Sequence, residues 1–71
     1  MKPAPTVWKA PDGQPIACVE KIKVMNQNFQ ELTEMVVELL EDGILMGCDE
    51  AQIRDALHQV VAQATTSIKP R

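Results

Sequence analysis

Aromatic side chains are nearly missing from this 71-residue chain, which has one tryptophan, one phenylalanine and no tyrosine. Any core must therefore be aliphatic and methionine-based. Positive charge is also scarce. Seven Lys and Arg against ten Asp and Glu give a net charge of −3 and a pI near 4.9. This argues against duplex binding, which depends on clustered positive charge to contact phosphates. No apolar run approaches the roughly 18 residues of a membrane span. Met1-Lys2-Pro3-Ala4-Pro5 lacks the apolar stretch of a secretory signal. The expectation is a cytoplasmic protein without a nucleic-acid or membrane partner. There is no Ser/His/Asp set, no phosphate-cradling glycine loop, no dinucleotide fingerprint and no CxxC or Cys/His zinc spacing. Catalysis, cofactor, metal and small-molecule substrate are all unexpected, the more so because a short helical hairpin offers little concave volume.

What the sequence does have is apolar patterning. Apolar residues make up 45% of the chain, too many for a disordered segment, and the length suits one small domain. Residues 1–17 form a Pro-rich arm with Pro3, Pro5, Pro11 and Pro15, and proline keeps them out of a helix interior. Ala10-Pro11-Asp12-Gly13 reads as a turn. Pro presets φ at the second position, Asp bonds its own backbone, and Gly takes positive φ. With Thr6-Val7-Trp8 and Ile16 on either side, the arm is expected to be extended or a β-hairpin. An isolated hairpin is marginal in water, so the arm should lie on the lower end of the first helix through Trp8.

Residues 18–71 read as a helical hairpin. Cys18, Ile22, Met25, Phe29, Leu32, Val36 and Leu39 recur at spacings of 4, 3, 4, 3, 4 and 3, an a/d heptad stripe that strand alternation does not produce. Met35 at g and Leu40 at e widen it, and a wide stripe faces more than one helix. A helix over 18–46 is the preferred reading, passing through Gly43 at a cost of about 1 kcal/mol relative to Ala and stopping at Gly47, the other reading being a stop at Gly43 as the left-handed C′ residue. A second is predicted over 49–66. Asp49 with Gln52 resembles a capping box, and Cys48 with Ile53 resembles a hydrophobic staple. Thr65-Thr66-Ser67 weakens this helix and Pro70 excludes its continuation. The two-residue link Gly47-Cys48 forces the helices antiparallel.

Two helices cannot shield so wide a stripe, and pairing into a four-helix bundle, commonly a two-fold dimer, is the usual remedy. Ile22, Met25, Phe29, Leu32, Met35, Val36, Leu39 and Leu40 are the expected interface. From Glu31 to Glu50 there are seven acids and no base, while Lys21 and Lys23 lie near the other end. Glu41 and Asp42 near a helix C-terminus oppose its macrodipole, and an antiparallel mate would bring lysines toward them; the other reading is a solvated acidic face, since surface ion pairs contribute little.

Cys18 and Cys48 are the candidate thiol site. At opposite ends of one helix they stand about 45 Å apart, beyond the ~7 Å reach of a disulfide. Across an antiparallel dimer the two could meet. Cys18 fits a buried d position, and Cys48 precedes a helix N-terminus, where thiols are activated, with Asp49 and Glu50 working against this. His58 flanks the apolar edge and reads as structural or exposed. Glu31, Glu34, Glu38 and Glu41 occupy outward c and f positions, unlike the inward carboxylates of bundle metal sites. Asn26-Gln27-Asn28 interrupts the helix signal, either as a register device or as an exposed weak stretch.

Trp8-Lys9-Ala10-Pro11-Asp12-Gly13, Cys18-Val19-Glu20-Lys21-Ile22-Lys23-Val24 and Leu45-Met46-Gly47-Cys48-Asp49 together resemble a group of short proteobacterial proteins without an assigned role. The resemblance covers roughly residues 8–66 and implies no activity, cofactor or partner. In size and two-helix layout the chain also resembles the helical-hairpin dimers that regulate plasmid RNA, although its acidic balance departs from theirs. The expected function is that of a non-enzymatic interaction protein, as a homodimer or a subunit of a larger assembly. A thiol-based redox sensor or metal carrier using Cys18 and Cys48 between subunits is the alternative, and a nucleic-acid regulator ranks last.

Overall fold

The computed structural model describes residues 7–68. Thr6, Pro70, the first two prolines and the extreme tail, all invoked above, lie outside them. The architecture is an all-α antiparallel hairpin, α1 (Val19–Leu45) and α2 (Glu50–Gln63), preceded by a looped arm. No named strand occurs among the described residues. The arm is closed by a single antiparallel bridge between Lys9 and Pro15. Its turn forms as its residues dictate. The Gly13 amide donates to the Ala10 carbonyl at 2.9 Å, and the Ala10 amide to the Gln14 carbonyl at 2.8 Å. Asp12 Oδ1 accepts from the Gln14 amide at 3.0 Å, and Gly13 takes φ +89.

α1 begins one residue later than the heptad stripe suggests. Cys18 is its N-cap, in extended conformation and without a side-chain capping bond. It is exposed rather than buried at a d position, because the stripe outruns the helix that would carry it. At the other end α1 passes through Gly43 and stops at Gly47, as predicted. The Gly47 amide donates to the Ile44 carbonyl at 3.0 Å and the Cys48 amide to the Gly43 carbonyl at 2.9 Å. This is the Schellman pattern, which needs a left-handed residue after the helix, and Gly47 supplies it with φ +91. The helix continues here without hiding its apolar end, because Leu45 and Met46 at the tip remain exposed.

α2 starts where the capping signal places it, one residue after its cap, with the Asp49 carboxylate accepting from the Gln52 amide at 2.9 Å. Its first turn adds an exposed Arg54–Glu50 pair at 2.9 Å, worth a few tenths of a kcal/mol. It ends at Gln63 rather than Thr66. Ala64 is already extended, and the Thr66 hydroxyl accepts from the Ile68 amide at 3.0 Å. Such local side-chain bonds compete with the helical ladder.

The helices come closest at Gly43, the one fully buried residue among those described. A Cβ there would sit 2.5 Å from Ile53 Cδ1, so the missing side chain seats the first turn of α2. Ile53 and Leu57 of α2 and Val36 and Leu40 of α1 are half-buried around this contact. At 1.5 Å per residue α1 is about 40 Å long and α2 about 21 Å, so α2 reaches only about halfway back along its partner.

Gly47 has no neighbour within 4 Å of the place a Cβ would take, so Gly47→Ala tests backbone conformation alone. It should cost about 1–2 kcal/mol, the penalty of a left-handed L-residue, read as a lower urea midpoint by circular dichroism. Unchanged stability would show that the turn does not hold this conformation in solution.

Candidate interaction surface

The expected interface residues differ in exposure. Ile22, Val36 and Leu40 are half-buried within the chain itself. Met25, Leu32, Met35 and Leu39 face outward, with exposures running from 38% at Met25 to 67% at Met35, while Phe29 packs against Trp8 of the arm and is only partly exposed. Geometry explains the split. α2 covers the upper part of one side of the stripe, the arm covers the lower part, and nothing in the chain covers the other side.

The lower contact is made by Trp8. Its ring lies 5.0 Å from that of Phe29, tilted by 41°, within the range of favourable aromatic pairing. Its indole Nε1 donates to Asn26 Oδ1 at 2.8 Å. Asn26 thus holds the arm, a role that helix propensity could not reveal because it depends on a residue 18 positions earlier. The Phe29 carbonyl also accepts from the Thr33 hydroxyl at 2.8 Å.

Beside α2, the uncovered flank of α1 forms an open groove of ≈ 390 Å³ lined by Leu32, Met35, Val36, Leu39 and Leu57, with Glu38 and Asp42 on its rim. Its walls are apolar and carry no convergent polar groups of the kind that orient a small molecule. Knobs from a neighbouring helix suit it better.

Burial points the same way. Among the described residues no hydrophobic side chain is fully buried. The apolar edge that spacing predicts for α2, Ile53, Leu57, Val60 and Ala64 broadened by Ala56 and Val61, is covered only at Ile53 and Leu57, and Val60 and Val61 are exposed. Val24, which sequence reasoning did not single out, is exposed as well.

The thiols Cys18 and Cys48 are both free and exposed. They flank the two ends of α1, so one chain does not bring them together. No group of three His, Cys, Asp or Glu among the described residues could hold a metal ion. His58 lies exposed on α2, and no helix among the described residues is long and apolar enough to cross a membrane. No family model, curated protein or solved structure matches the chain.

Trp8 is the sole tryptophan, so its fluorescence reports arm docking directly. Asn26→Ala should weaken docking by about 0.5–1.5 kcal/mol, the net value of one hydrogen bond. Trp8 emission should shift to the red while helix content is preserved. An unmoved emission maximum would mean that Asn26 does not hold the arm.

Proposed function

We propose that the protein is a non-enzymatic interaction element of the cytoplasm that works in assembled form, with the uncovered flank of α1 as its docking surface. The observation that carries this reading is the lack of any fully buried hydrophobic side chain among the described residues. Soluble monomers rarely leave apolar patches larger than a few hundred Å² in water, and larger ones mark interaction sites. Met35 and Met46 suit such a surface, because unbranched thioether side chains adapt to a partner. The groove needs no chemistry of its own; it offers shape, apolar contact and an acidic rim.

The test uses Leu32→Gln combined with Met35→Gln, both at exposed positions that α2 and the arm leave uncovered. Tagged protein at its native level in cell extract should sediment well above the 7.9 kDa of one chain. The double variant, with unchanged helix content, should sediment as a single chain. A wild-type chain that already runs alone in the extract would remove the basis for the proposal.

A further inference from the structure

We propose that a second copy of this chain fills the docking surface, laid antiparallel with α1 on α1 about a two-fold axis beside Leu32. This rests on reading the α1 flank as an interface, and it names the occupant.

The exposed flank carries its own heptad. Lys21, Met25, Asn28, Leu32, Met35, Leu39 and Asp42 follow one another at spacings of 4, 3, 4, 3, 4 and 3. On a helix of 3.6 residues per turn they share one face. It shares Met25, Leu32 and Leu39 with the first stripe and turns from it toward Asn28 and Met35, away from Ile22, Val36 and Leu40, which the chain itself half-buries, so a mating helix seated there lies beside α2 and leaves those contacts in place. A base lies at one end and an acid at the other.

Lys21 is 11 positions before Leu32, and Asp42 is 10 after it. A two-fold axis beside Leu32 therefore brings Lys21 opposite the partner's Asp42, and it does so twice. A parallel pair would set lysine on lysine and aspartate on aspartate. Among the described residues neither Lys21 nor Asp42 has an ion-pair partner within its own chain.

The helix dipole favours the same orientation. The last turn of α1 has no base while Glu41 and Asp42 sit near it, an arrangement unfavourable at the negative end of a helix. An antiparallel mate brings the positive, N-terminal end of its α1 to those acids.

Sedimentation equilibrium of the purified full chain should give twice the chain mass of 7.9 kDa. A monomer or a larger oligomer overturns the proposal. Orientation is read with the exposed native thiols at the two ends of α1 and a short bismaleimide. In a mixture, Cys18→Ser chains should cross-link to Cys48→Ser chains, and neither variant to itself. Cross-linking within either variant alone marks a parallel pair and overturns it.

Lys21→Glu should weaken self-association about tenfold by setting acid against acid at both ends. Mixing it with Asp42→Lys should restore wild-type affinity. No loss in Lys21→Glu, with helix content preserved, also counts against the register. If the purified chain is monomeric yet the cell extract still holds the heavy species that Leu32→Gln/Met35→Gln abolishes, the second copy is wrong and the docking surface stands. If both run as single chains, both fail.

Discussion

A helix of 27 residues faced by one of 14 cannot be covered along its length, and that mismatch governs the molecule. α2 protects the upper part of one side of α1. The arm folds back to protect the lower part, with Trp8 on Phe29 and Asn26. What lies beyond their reach stays wet.

Local devices define the hairpin even though its core is thin. Gly47 turns the chain out of α1, and the Asp49 carboxylate caps α2. Gly43 lets Ile53 approach the α1 backbone, where any larger residue would meet the Ile53 side chain. Its cost to the helix, about 1 kcal/mol relative to Ala, is offset by that close approach. The result is a framework defined by its turn and contact glycines rather than by a mass of buried side chains, and it holds the apolar flank of α1 out toward solvent.

Local signals in the sequence located these devices well. The heptad stripe, the stop at Gly47, the Asp49 cap and the turn at Ala10-Pro11-Asp12-Gly13 all follow from residue-level rules that act over a few positions, and the docking of Trp8 follows from the need of an isolated hairpin for an apolar support. What escaped was non-local. The stripe's division into covered and uncovered sides depends on how far α2 extends, and α2 ends early because Thr65-Thr66-Ser67 competes with the ladder sooner than a breaker count suggests. Cys18 belongs to the heptad by spacing but not to the helix. Asn26 and Gly43 read as weak points in a helix until the distant Trp8 and Ile53 supply the reason for them.

The claim beneath all of this is that one copy of the chain does not complete its own fold. Thermal melting followed by circular dichroism over a hundredfold range of protein concentration tests it most directly. If folding is coupled to covering α1 with another copy, mass action should raise Tm by roughly 10 °C across that range. A single cooperative transition at a concentration-independent Tm, persisting at the lowest concentration, would contradict it.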